Sequence, residues 1–447
     1  MTSRSLADWL AYLEQLHPTA IDMGLDRVRA VASRLALGRP APLVITVTGT
    51  NGKGSTCAFI ASLLRAQGLK VGVYSSPHLL RYNERVQLDG TNASDQQLCE
   101  AFAAVDAARG EVSLTYFEVG TLAALWLFER AGLDAVILEV GLGGRLDAVN
   151  IVDSDLAVVT NVGLDHADWL GDTRESVAYE KAGILRAGKP ALCGDPDVPA
   201  PLLEYAASLK VPLFLRGRDF DLVMDSEAWH WRGVGQAGEA MQLHGLPPLA
   251  LPMENAALAL QAYALLGLPW DAGRLATALR QTQVAGRLDS RRVVSNGRSI
   301  SLLLDVGHNP HAASYLAQYL ARRPVGGRRL AVFGLLSDKD LAGVVGALQS
   351  HVADWAVAPL PTPRTQTAEQ LSAALLERGA AVSQYESIAQ ALDAQCAKAD
   401  STDEVLVFGS FYCVAAALEW LDQQAGGKWT WHCWIRDCCS AWSVRWY

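Results

Sequence analysis

The stretch TVTGTNGKGST, residues 46–56, decides how the rest of the chain is read. It follows the apolar run LVITVT and opens a segment in which Ile60, Leu63 and Leu64 recur at helical spacing until Gly68. A glycine-rich turn between strand and helix points backbone N–H groups at one spot, at the positive end of the helix dipole, and so makes an anion site. The common phosphate loop reads G-x-x-x-x-G-K-[ST]. Here Gly49 lies only four residues before Lys53, and Gly54 separates the lysine from Ser55 and Thr56. The loop is short, but three glycines and a lysine exceed what a plain turn requires. Thr50, Asn51, Gly52, Lys53, Gly54 and Ser55 are therefore the candidate phosphate residues, with Ser55 or Thr56 as a possible Mg²⁺ contact.

Outward from the loop, strands and helices alternate from residue 43 to about 195. KVGVYSS, DAVILEVGLGG, DLAVVTNVGLDH and KPALCG read as strands, and FEVGTLAALWLFERAG and ESVAYEKAGIL as helices. Such alternation predicts a parallel sheet wrapped by helices. Residues 211–250, with short alternating runs and glycine or proline turns, predict an antiparallel patch. Two helices follow, and then VAGRLDSRRVVSNGRS breaks the pattern and reads as a linker. SLLLDVG, RRLAVFG, DWAVAPL and DEVLVFGS are strands of a second, smaller α/β domain without a phosphate loop. The predicted organisation is a nucleotide-binding domain over 1–287, a Rossmann-like domain over 288–427 and an atypical tail over 428–447. That tail holds five of the 13 tryptophans and is set apart as non-native or disordered.

Composition limits the function classes. At 447 residues the chain exceeds one core, and 50% hydrophobic with 19% charged residues suits packed domains. No apolar run reaches the roughly 18 residues of a membrane span, and the first residues lack the basic start of a secretory signal. A cytoplasmic protein with no membrane partner is expected. The net charge of −9 and the lack of basic clusters argue against nucleic acid. Eight scattered cysteines, with no C-x-x-C among the first five, suggest reduced thiols rather than zinc or disulfides.

Polar residues that end parallel strands converge on one sheet edge, where ligands bind. Glu139 ends AVILE and His166 follows LAVVTNVGLD. A buried carboxylate at that place is costly unless paired, so Glu139 is either a metal ligand or satisfied by backbone N–H groups. GLGG at 141–144 lacks dinucleotide spacing. In DVGHNP, Asp305 and His308 could hold a metal, or Asp305 could contact a nucleotide.

Together, TGTNGKGST, YSSPHLLRYNERV, LTYFEVGTLAALWLF, ILEVGLGGRLDAVNIV, LDHADWLG, EKAGI, LDVGHNPHAA and LLSDKD resemble the bacterial folylpolyglutamate synthase and dihydrofolate synthase family of the Mur ligase superfamily. The resemblance spans about residues 5–425. It implies a P-loop-containing parallel-sheet ATPase domain followed by the smaller α/β domain. It also implies an ATP- and Mg²⁺-dependent ligase that joins L-glutamate to 7,8-dihydropteroate and extends reduced folates. By resemblance Lys53 contacts phosphates, Ser76 and Glu139 hold one Mg²⁺, and Glu139 and His166 share a second. Lys181 matches a carbamylated lysine, so Lys53, Glu139, His166 and Lys181 form the catalytic set. Asn255, Arg287 and Asp305 match nucleotide contacts. Leu16, His17, Thr115, Tyr116, Phe117, Arg145 and Leu146 match the pterin side. Tyr412 and Cys413 depart from the expected pattern. A monomer is expected. The rivals are a Mur-type ligase acting on another carboxylate, for which a separate domain before the loop is expected, and a nucleotide-binding regulator without turnover.

Overall fold

The fold is described from a computed structural model, which covers residues 4–225 and 228–424; the 428–447 tail lies outside the described residues. The chain divides into two compact units, Met1–Val284 and Ala285 onward.

The first unit is organised about β1 (Leu43–Thr48), the apolar run that precedes the glycine loop. Strands are numbered in chain order: β2 Val71–Tyr74, β3 Val86–Leu88, β4 Thr91–Asn92, β5 Ala135–Glu139, β6 Leu156–Val159, β7 Ala191–Cys193 and β8 Leu213–Leu215. They form one sheet in the order β4-β3-β2-β5-β1-β6-β7-β8. The six strands from β2 to β8 run parallel, and β3 and β4 add an antiparallel edge. Alternate residues supply two cores. Val44, Val136, Leu138 and Val159 face one side, and Ile45, Val47, Ile137 and Val158 the other. Burial on both faces explains why these strands are uniformly apolar. The helix Lys53–Ala66 packs against the helix Met253–Ala264 over the second face.

The antiparallel patch is smaller than the sequence reading placed it. Leu213–Leu215 is the last parallel strand of the main sheet, and the three-stranded patch consists of β9 (Asp221–Met224), β10 (Trp229–Val234) and β11 (Ala240–Leu246).

In the second unit β12 (Asp289–Ser295), β13 (Arg298–Asp305), β14 (Arg329–Phe333), β15 (Asp354–Val357), β16 (Val382–Gln384) and β17 (Glu404–Phe408) form a sheet in the order β12-β13-β17-β14-β15-β16. The segment expected to be a linker is mostly strand. DSRRVVS pairs antiparallel with RSISLLLD across the turn Asn296-Gly297, both with positive φ. That dipeptide is a strong hairpin signal, and the polar start of an edge strand, Asp289 to Arg292, hid it. Phe333, Trp355 and Phe408 cluster at the core, with ring centroids 4.8–5.8 Å apart. Among the described residues no helix is long and apolar enough to cross a membrane, and Cys57, Cys99, Cys193, Cys396 and Cys413 are free thiols.

Candidate active site

Gly49 (φ 151°) and Gly52 (φ 82°) shape the glycine loop, and Lys53 begins the helix that follows. Lys53 Nζ turns back to donate to Gly49 O at 2.9 Å and Thr50 O at 3.3 Å. The loop is pinned to the segment after β6. The Thr50 hydroxyl donates to Gly163 O (2.8 Å) and accepts from Gly163 N–H (2.9 Å), while Asn51 N–H donates to Asn161 Oδ1 and Thr160 Oγ1 donates to Asn51 O. Ser55 is buried and accepts from Asn255 Nδ2 at 2.7 Å, so this serine is braced by a helix far along the chain. Thr56 is also buried. A Cβ on Gly49 would lie 1.7 Å from Thr160 Oγ1. Gly49→Ala is expected to cost roughly 3 kcal/mol of stability, from strain and clash together, measurable as a lower urea midpoint with an unchanged slope.

One strand away, the Glu139 carboxylate is buried at the end of β5, and its Oε2 accepts from Ser76 N–H at 3.3 Å. Lys181, in the last turn of the helix Arg174–Ala182, is only 2% exposed and so is not a surface lysine. Burial first, then the charge of Lys53, push its amine down to about 7, against an opposing pull from Asp165. His166 caps a short helix in left-handed conformation (φ 54°), and its N–H donates to Asp165 Oδ1. Among the described residues no three His, Cys, Asp or Glu side chains gather into a metal cage. Mg²⁺ does not need one, since it retains waters and substrate phosphate and takes one or two protein carboxylates. The buried Glu139 beside Ser76 fits that requirement.

Leu16, His17, Thr115 and Phe117 gather around the start of the helix Tyr116–Arg130. Thr115 caps it in a box with Glu118, and His17 Nδ1 pairs with Ser113 Oγ at 2.7 Å, whose hydroxyl donates to Leu16 O. Phe117 packs 5.9 Å from Tyr74 and against Gly141, where a Cβ would come within 2.7 Å of its ring. Arg145 is engaged by Glu180 (2.8 Å) and lies over the Tyr179 ring, with half-buried Leu146 beside it in sequence. His78 accepts from Arg85 Nε and is pushed down to about 4 by burial and then by that charge.

In the second unit, taken by itself, Asp305 ends β13. Its two oxygens accept N–H groups of Gly307 (2.8 Å) and Leu288 (3.0 Å), which accounts for its carboxylate without a metal, and burial raises its pKa. Arg287, at the end of the first domain in the sequence reading, belongs to this unit and lies 5.8 Å from the Phe411 ring. Cys413 is fully buried, and Tyr412 is exposed.

Residues 47–192 match the Mur ligase middle domain, and 286–411 match the Mur ligase, glutamate ligase domain. The dihydrofolate synthase/folylpolyglutamate synthase of Escherichia coli (strain K12) is 48% identical over 424 residues, covering 95% of this chain and 97% of that protein. The chain belongs to the dihydrofolate synthase/folylpolyglutamate synthase family. Among solved structures, E. coli FolC in complex with DHPP and ADP superposes with a TM-score of 0.89 at 46% identity, covering 95% of this chain and 99% of that one. A bifunctional folylpolyglutamate synthase/dihydrofolate synthase with Mn, AMPPNP and L-glutamate bound gives 0.85 at 46% identity, over 93% and 98%.

Within this dihydrofolate synthase/folylpolyglutamate synthase fold, sequence reasoning missed Asp147. Its oxygens accept N–H groups of Leu142 (2.8 Å) and Val149 (3.0 Å), and burial pushes the acid up to about 6 despite those bonds. It lies beside Gly141, close to Phe117. The available signal is a carboxylate just after the GLGG turn.

Proposed function

We propose that this protein is an ATP-dependent amide ligase that joins L-glutamate to 7,8-dihydropteroate, forming dihydrofolate, and lengthens the glutamyl chain of reduced folates. The observation that carries this reading is the juxtaposition at one sheet edge of a lysine-bearing glycine loop with the buried Glu139–Ser76 pair on the neighbouring strands. Such an edge suits the joining of phosphate to carboxylate.

A carboxylate resists amines because its carbonyl carbon is weakly electrophilic and its oxygen leaves poorly. Transfer of the γ-phosphoryl group of ATP to that oxygen releases ADP and gives an acyl phosphate. The glutamate amine attacks the carbonyl carbon, and the C–O bond to phosphate breaks as the amide forms and the nitrogen loses its proton. In this assignment Lys53 and the N–H groups of the 49–55 loop fix the phosphates. Ser76 and Glu139 would hold one Mg²⁺, and Glu139 and His166 a second, with carbamylated Lys181 as an added oxygen donor. Bound Mg²⁺ supplies charge neutralisation at the phosphate oxygens. Asn255, Arg287 and Asp305 are assigned to the nucleotide. Leu16, His17, Thr115, Tyr116, Phe117, Arg145 and Leu146, together with Asp147, are assigned to the pterin. We place the protein in the cytoplasm as a monomer.

The test is ADP release with Mg²⁺-ATP and L-glutamate, with and without 7,8-dihydropteroate, and in parallel with tetrahydrofolate. Release that requires both glutamate and dihydropteroate is expected, with a second signal for tetrahydrofolate. ATP binding without any pterin dependence would favour the regulator, and dependence on a different carboxylate the Mur-type ligase.

A further inference from the structure

Arg85 carries a charge that the fold does not neutralise. Its guanidinium is half-buried and lies 5.4 Å from the Tyr82 ring centroid and 5.6 Å from that of Tyr116, and those two rings meet edge to face at 5.7 Å. Nε donates to His78 Nδ1 at 2.8 Å, which fixes the plane of the group. Among the described residues Arg85 forms no ion pair, and its two Nη groups donate to no protein acceptor. By contrast, Arg27, Arg81, Arg145 and Arg174 in the same unit all meet carboxylates.

Its position gives this significance. Val86 pairs with Tyr74, and Ser75 N–H donates to Arg85 O at 2.9 Å. The next residue, Ser76, donates to Glu139. Arg85 therefore stands one backbone step from the edge assigned to the reacting carboxylate, with Tyr116 of the pterin group against it. A half-buried guanidinium packed against two rings and oriented through its Nε, with both Nη groups unused, suits bidentate capture of a carboxylate.

We propose that Arg85 binds the unreacted carboxylate of the terminal glutamyl residue of a folate acceptor. This rests on the ligase reading above. Dihydropteroate has one carboxylate, which is the group consumed in the reaction. A folate ends in a glutamyl unit with two, and when one is activated the other stays ionised beside a site crowded with phosphate. It needs a cation that dihydropteroate does not, so Arg85 separates the two acceptor classes.

The experiment compares wild type with Arg85→Gln and Arg85→Lys in steady state, varying tetrahydrofolate, dihydropteroate and L-glutamate in turn. For Arg85→Gln the tetrahydrofolate KM is expected to rise about 10- to 100-fold. The rise for dihydropteroate should be at least about tenfold smaller, with Arg85→Lys intermediate for tetrahydrofolate. An equal rise in glutamate KM in both reactions would overturn the assignment and give Arg85 to the incoming amino acid. Equal losses with both acceptors, accompanied by a lower melting temperature, would make it a structural brace and also overturn it. Unchanged constants in an active enzyme would refute the assignment alone, whereas a folded wild type without pterin-dependent turnover would refute the ligase reading beneath it.

Discussion

Lys53→Ala lowers kcat with dihydropteroate by on the order of 10³-fold while the protein remains folded. Removing one fixed donor from a site of developing negative charge commonly costs 10²–10³, and here the donor is also a full charge at the start of the Lys53–Ala66 helix. In the structure its ammonium is held against the carbonyls of Gly49 and Thr50, so it is already curled over the loop where phosphates would lie. Losing those two contacts should cost roughly 1–3 kcal/mol of stability. Far-UV circular dichroism and thermal melting therefore separate damage to the fold from damage to catalysis. A loss of less than about tenfold in kcat would remove Lys53 from phosphate handling.

Replacing Lys181 with methionine gives the second large effect, and it acts in opposite directions on activity and stability. An amine held near 7 is partly neutral at physiological pH, and a neutral amine can add CO₂ to form a carbamate, releasing a proton. The product is an anion in place of a cation repelled by Lys53. Lys181→Met has no such chemistry, and turnover is expected to fall by on the order of 10²–10³, in line with loss of a charged group from the reacting site. Intact mass spectrometry at mildly alkaline pH should find one CO₂ adduct in wild type and none in the variant. Stability follows from linkage. The folded-state pKa of about 7 lies below the unfolded value of about 10.4, so between them the unfolded chain binds more protons. The buried ammonium is therefore a full penalty below about pH 7, and the penalty fades as pH rises toward 10.4. Lys181→Met should be more stable than wild type by roughly 2–4 kcal/mol at pH 6, with the difference shrinking at higher pH. Full activity in the variant, or equal stability at pH 6, would exclude this account.

The glycine loop, the parallel sheet and the strand-end Glu139 were legible because they depend on local patterns: an apolar run, a turn that only glycine makes easily, a helix period. The hairpin of β12 and β13 shows the limit. Its turn dipeptide was plain in the sequence, but β12 exposes Ser290, Arg292 and Val294 along one face, and an edge strand with one wet face lacks the apolar run that marks a buried one. Asp147 and Arg85 escaped for another reason. Nothing in the residues around an aspartate or arginine says whether its partner is a backbone amide, an acid or a ring, since those partners come from distant segments. The burial of Lys181 was hidden likewise, because EKAGI in isolation reads as a polar helix end.

The hydrogen bond from Asn255 to Ser55 joins residues 200 positions apart. During synthesis the loop residues leave the ribosome early, but the helix that braces them emerges only once about two hundred more residues have been added. At typical elongation rates that delay is on the order of ten seconds or more. A nascent chain that has completed only the segment matching the Mur ligase middle domain, residues 47–192, therefore holds the loop by residues 160–163 alone, without the brace that Asn255 gives Ser55. The last side-chain brace of the glycine loop is thus set only late in translation.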